Sequence, residues 1–234
     1  MPDRIPSELL AKEFFESVPD FLKELINDEM PVWEALKKLR AFITASVKRE
    51  INIDIPNGVY LSGNDISIGE GTRIEPGVMI KSPAIIGKNV ELRQGAYIRG
   101  DVIICDNCVV GHASELKHTI MLDGAHAPHF NYLGDSILGK KVNLGAGTIL
   151  SNFKMTTEKN IKIRFKDNVI DTGLRKFGAM LGDNSETGCN AVLNPGTMVG
   201  RNSLVYPLSL VRGYIPPNTI YKVRQQFSNL TRNS

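Results

Sequence analysis

The chain has 234 residues, 42% of them hydrophobic and 23% charged, with 28 basic residues against 25 acidic ones for a net charge of +3. That balance argues against a nucleic-acid partner or an anionic membrane, and leaves a mild positive field that suits a phosphorylated small molecule. No apolar run is long enough to span a bilayer, Met1-Pro2-Asp3-Arg4 lacks the layout of a signal peptide, and three cysteines at uninformative spacing make no disulfide framework. The expected setting is the cytoplasm.

In chain order, Ser7 to Glu16, Asp20 to Asn27 and Val32 to Arg49 carry helical spacing. They predict a small helical extension over 1–55 that caps the first coil of the following domain or contacts a neighbouring subunit. From there the period changes. Aliphatic residues fall every six positions at Ile68, Ile74, Ile80, Ile86, Leu92, Ile98, Ile104, Val110, Leu116 and Leu122. Six is neither a helical nor a strand period. It is the repeat of a β-solenoid, in which a short strand and its turn form one side of a triangular coil and three repeats close the coil. Two positions before the aliphatics stand compact residues, including Val78, Ala84, Val90, Ala96, Cys108 and Ser114, as an inward position near a corner requires. The phase slips around Pro128 to Asp135 and resumes at Leu138, Leu144 and Leu150, then at Leu181, Leu193, Val199, Val205 and Val211. Between them, 153–177 alternates Ile161, Ile163 and Phe165 with basic residues and reads as a hairpin arm leaving the solenoid. The predicted domain is thus a parallel β-helix over 56–217, followed by a tail over 218–234.

All four histidines, His112, His118, His126 and His129, fall in one short stretch of the chain. His126 reads as a small-register inward position, which argues for packing, and His118 as structural or supporting. Arg99 and Lys117 each follow an inward aliphatic and stand one full coil apart, so they stack on one face, where they are either a phosphate site or solvated charges. Glu115 points to the same side. Cys105 and Cys108 tempt a metal reading, but the inward register explains Cys108, and no metal is expected there.

The segments His129-Phe-Asn-Tyr-Leu-Gly-Asp135, Val142-Asn-Leu-Gly-Ala-Gly-Thr148, Ser151-Asn152 and Arg175-Lys-Phe-Gly-Ala-Met-Leu-Gly182 resemble the acetyltransferase half of the bifunctional N-acetylglucosamine-1-phosphate uridyltransferase/glucosamine-1-phosphate acetyltransferase family, in its archaeal sugar-1-phosphate form. The resemblance covers about residues 66–215. It implies a left-handed winding, acetyl-coenzyme A as co-substrate, a hexosamine 1-phosphate as acceptor, a homotrimer with sites between subunits, and a step toward UDP-N-acetylhexosamine. It places His129 on the general base, and Tyr132, Arg99, Lys117, Glu115, Asn143 and Asn152 on acceptor-binding positions. Lys159 is the best match to a further phosphate lysine, with Lys154 and Lys162 as alternatives. Ala146 and Cys189, the latter in place of a serine, fall beside the coenzyme. Arg212, with Lys222 or Arg224, is expected near its phosphates. Phe153 replaces a tyrosine. The stretch before Leu61 carries no Gly-rich nucleotidyltransferase loop, so acetyl transfer without uridyl transfer is expected.

The chemistry read from the residues agrees. A histidine titrates near working pH and can take the proton of an attacking amine, and the backbone of Gly145-Ala146-Gly147 can offer N–H groups to an oxyanion. Two other readings are a zinc hydratase of the solenoid carbonic anhydrase type, suggested by the clustered histidines, and a non-catalytic trimeric scaffold.

Overall fold

A computed structural model describes residues 5–155 and 159–224. The chain forms a left-handed parallel β-helix with a small helical region packed on its side. Three eight-stranded parallel sheets make the three faces of the coil. The first face runs from Tyr60–Ser62 through Tyr97–Ile98, Glu115–Lys117, Tyr132–Gly134 and Ile149–Leu150 to Leu210–Val211. The second runs from Ile66–Ile68 to Tyr214–Ile215, and the third from Arg73–Ile74 to Ile220–Tyr221. The last strand therefore lies past position 217. Every strand is short, with a turn on either side, and parallel pairing stacks the inward aliphatics of successive coils into one continuous core.

The six-residue register holds up to Leu116 and then departs from the sequence reading. Glu115 pairs with Tyr97, but Thr119 pairs with Val102, one position fewer along the chain. The missing residue is at the corner. Gly100 and Asp101 turn the chain between the first and second faces in one coil, whereas His118 (φ 52°) does so alone in the next, and Asp135 (φ 48°) alone in the one after. The inward residues are thus Met121, Ala127 and Leu133. Leu122 belongs instead to the outward cluster, and Ala125 takes the small inward position. His126 is correspondingly outward and half-buried on the third face. Leu122 continued the pattern by coincidence, because an apolar residue was wanted on both sides of that strand.

The reason lies outside the second face. Its outward side chains Ile103, Ile120, Ile137, Met180 and Met198 are fully buried under a second core. This core comes from Leu9, Phe14, Leu22, Trp33, Leu36, Leu39 and Ile43, and from the insertion residues Ile161, Ile163 and Phe165. The helical region therefore covers a side of the solenoid, while the end of the extension lies on the first coil, with Ile51 bridged to Ile68 and Ile53 and Ile55 packed against the core. The main helix, Glu34–Ser46, buries Ala35, Leu36, Leu39 and Ile43, one stripe at helical spacing. It is tied down at the corners: His118 Nε2–H donates to the Leu36 carbonyl at 2.8 Å, and Arg40 Nη1 lies 3.3 Å from Asp101 Oδ2. The insertion is an antiparallel hairpin of Lys162–Phe165 and Asn168–Asp171. It folds back onto the solenoid rather than leaving it, with Phe165 against Tyr214 at 5.1 Å between ring centroids and Lys166 paired with Glu8 at 2.8 Å.

Candidate functional site

His129 ends the strand His126–His129 at the corner where the third face turns into the first. Its backbone is held firmly. The buried Asn131 accepts from the His129 N–H (3.1 Å), donates from its side chain to the Gly145 carbonyl (2.8 Å), and donates its own backbone N–H to Ser114 Oγ (3.1 Å). On the coil below, Gly111 lets the two strands approach: a Cβ there would sit 1.5 Å from the Pro128 carbonyl oxygen. The His129 side chain is exposed, and among the described residues its ring nitrogens have no hydrogen-bond partner.

One coil further on, Gly147 N–H donates to the His129 carbonyl (3.1 Å), which stacks Ala146 over His129. Gly145 N–H is spent on the Thr187 carbonyl (2.7 Å), so of the three donors expected from this loop only Ala146 N–H is unpaired among the described residues. Asn190 N–H donates to the Ala146 carbonyl (2.8 Å) and places the exposed Cys189 on the next coil of the same edge. His129, Ala146 and Cys189 are therefore successive steps along one corner.

The polar acceptor candidates occupy the first face. Tyr97, Glu115, Tyr132 and Ile149 are register partners. Arg99 Nη1 meets Glu115 Oε1 at 2.6 Å, and this bond holds the guanidinium charged. Lys117 Nζ meets both oxygens of the buried Asp135 at 3.1 and 3.2 Å, and Asn152 Nδ2 donates to the same carboxylate. Tyr132 has its hydroxyl pKa raised, first by burial and then by the Glu115 and Asp135 carboxylates, so it remains a neutral donor at physiological pH. Arg99, Glu115, Lys117, Tyr132 and Asn152 thus form one connected patch.

Other expected residues lie apart from it. Asn143 stands on the third face, paired with His126 and Glu186. Lys159 is exposed at the root of the hairpin. Arg212 follows the strand Leu210–Val211, so it is at the opposite edge of the first face from Ala146 and Cys189, in a cleft of about 1080 Å³ beneath the hairpin with Lys154, Lys162 and Arg164. Phe153 carries the Arg175 guanidinium on its ring, 4.4 Å from the centroid. Lys222 Nζ lies 5.8 Å from the Tyr206 ring centroid. His112 is the register partner of His129 on the coil before it, its Nδ1–H donating to the Gln94 carbonyl, while His118 faces the helix, and no group of three metal-binding side chains forms among the described residues.

Sequence reasoning missed three residues. Asn131 and Asp135 sat inside the quoted motif, but their partners come from other coils, at distances no local pattern displays. Lys81 was visible: it follows the inward Ile80 and stands one coil before Arg99.

Fold and site together describe a hexapeptide-repeat β-helix with a polar patch on one open face. The sequence profile of the GMPPB C-terminal domain matches residues 80–173. Over 228 residues, 93% of this chain and 54% of the relative, the sequence is 31% identical to the bifunctional protein GlmU of Methanococcus aeolicus. It is 32% identical over 168 residues, 64% of this chain and 42% of the relative, to the bifunctional sugar-1-phosphate nucleotidylyltransferase/acetyltransferase of Sulfurisphaera tokodaii. The chain spans about half the length of these curated relatives, and the matches bear out the resemblance carried by its motifs. The UDP-N-acetylglucosamine acyltransferase of Francisella novicida shares the fold, with a TM-score of 0.53, 17% identity, and coverage of 73% of this chain and 66% of that one.

Proposed function

We propose that the chain transfers an acetyl group from acetyl-coenzyme A to the amine of a hexosamine 1-phosphate, with glucosamine 1-phosphate as the leading acceptor. The observation that carries this reading is the pairing at one corner of an unpartnered imidazole with an unpartnered backbone N–H one coil above it. His129 accepts the proton of the amine as it attacks the thioester carbonyl. Ala146 N–H donates to the oxygen of the tetrahedral intermediate as its charge develops. The imidazolium then returns its proton to the departing thiolate. Arg99 and Lys117 hold the phosphate, exchanging their carboxylate partners for it. Glu115, Tyr132, Asn143 and Asn152 orient the sugar, and Tyr132 acts as a neutral donor. Cys189 lies beside the coenzyme's acyl arm. Arg212 meets the coenzyme's phosphates, and Lys159 is a further acceptor contact.

Asn143, Lys159 and Arg212 stand away from the corner in one chain, which supports completion of the site by neighbouring copies in a cytoplasmic homotrimer. Phe130 and Leu208, 55% and 60% exposed at the same corner, supply apolar surface for such contacts. No group of three metal-binding side chains forms among the described residues of one chain to favour the zinc reading, and the connected patch on the first face favours an enzyme over a bare scaffold.

The test is release of free thiol from acetyl-coenzyme A in the presence of glucosamine 1-phosphate, beside His129→Ala. The variant is expected to lose about 10²–10⁴-fold in kcat with its melting temperature unchanged. Full activity in the variant would remove His129 from the role of base, and no thiol release with glucosamine 1-phosphate or with galactosamine 1-phosphate would overturn the acceptor. Light scattering that reports a monomer would count against a shared site.

A further inference from the structure

The cation file on the first face is one coil longer than the acceptor patch. Lys81, Arg99 and Lys117 each follow an inward aliphatic, Ile80, Ile98 and Leu116, and the pairings Ile80 with Ile98 and Ile98 with Leu116 put them in one line. Adjacent strands lie about 4.8 Å apart, so the three positions span roughly 10 Å. Their surroundings differ. Arg99 is paired with Glu115 and Lys117 with Asp135. Lys81 pairs with no carboxylate among the described residues; its Nζ instead lies 5.2 Å from the centroid of the Tyr97 ring, which the Arg99 guanidinium also approaches at 5.9 Å. Two cations on the same ring, one of them without a counter-ion, leave excess positive charge at the N-terminal end of the patch. A single anionic group one coil from the Arg99–Lys117 phosphate would neutralise it.

We propose that Lys81, backed by Tyr97, is the site of a second phosphoryl group, so that the face takes acceptors with a diphosphate, of the nucleoside-diphosphate amino-sugar class, as well as a monophosphate. One phosphoryl sits on Arg99 and Lys117 and the next on Lys81. This rests on the reading of Arg99 and Lys117 as phosphate ligands given above. Lys81 is a specificity residue in this arrangement, since it is remote from the corner that carries His129 and Ala146.

The experiment is calorimetric titration of the full chain with inorganic pyrophosphate and with orthophosphate, for the unmodified protein, Lys81→Met, Lys81→Arg and Arg99→Met. Pyrophosphate is expected to bind at least tenfold tighter than orthophosphate. Lys81→Met is expected to shrink that ratio below threefold, and Lys81→Arg to restore it. The same ratio is read in turnover, as kcat/KM for UDP-glucosamine over that for glucosamine 1-phosphate, with a tenfold fall in Lys81→Met. A protein with no preference for pyrophosphate, or a preference that survives Lys81→Met, overturns the assignment of Lys81. Orthophosphate binding that survives Arg99→Met overturns instead the parent reading of Arg99 and Lys117, so the two failures are told apart.

Discussion

The first and second faces of the solenoid are built on the same inward register, yet their outward sides have opposite characters. On the second face Ile103, Ile120, Ile137, Met180 and Met198 form an apolar file buried under the helical region and the hairpin. On the first face the corresponding positions hold Tyr97, Glu115, Tyr132 and Ile149, flanked by Lys81, Arg99 and Lys117, and remain open to solvent to varying degrees. The inward positions make a coil, and they do so equally well on all three faces. What the coil does is decided by the outward positions, which the six-residue pattern leaves free. One face uses that freedom to acquire a cover, the other to assemble charged and hydrogen-bonding groups from successive coils.

Four substitutions break or sharpen this contrast. The largest effect is expected from Ile120→Asp, which buries an unpaired carboxylate under the cover and should cost about 4 kcal/mol or more, read by urea unfolding. The same change at Ile149, 41% exposed on the first face, is expected to cost under about 1 kcal/mol; a cost like that at Ile120 would show that a second copy covers the first face in solution. Next, Asp183→Ala removes the carboxylate that accepts from the backbone N–H of Glu16 (2.8 Å) and of Lys140 (2.7 Å), one on the cover and one on the solenoid. Burial raises the pKa of this carboxyl while those donors lower it. Its loss should cost about 1–3 kcal/mol and speed amide hydrogen exchange around Glu16; unaltered exchange there would mean the cover is held by its apolar contacts alone. The smallest effect on the fold is expected at Asp135→Asn on the first face. It unties Lys117 and Asn152, so KM for the sugar phosphate should rise about tenfold while kcat changes less. Equal falls in kcat and kcat/KM would tie Asp135 to the reacting centre instead.

Much of this was legible beforehand where the cause is local. The inward aliphatics from Ile68 to Leu116, and again from Leu138 to Val211, are set by one-dimensional spacing, and the structure puts them in the core. The stacking of Arg99 over Lys117 followed from the three-repeat coil, because two residues at the same phase of a closed coil must be neighbours. The single-residue corners were not legible. Nothing marks His118 or Asp135 as turning the chain alone, since both are non-glycine residues at positive φ whose neighbours across the coil hold them there. The resulting slip moved Leu122 from the core to the covered face and His126 from the core to the surface.

The sequence by itself determined the coil, because a repeat that buries one aliphatic at every sixth position admits few other closed structures. It also determined the corner motif around His129, which is contiguous in the chain. The tertiary structure alone decided which face the helical region covers, which of the Gly145-Ala146-Gly147 donors is unspent, and which carboxylate each cation faces. Those depend on contacts between residues a coil apart or far more distant in the chain, such as Arg99 with Glu115 and Phe14 with Asp183, whose partners are chosen only once the coils have stacked.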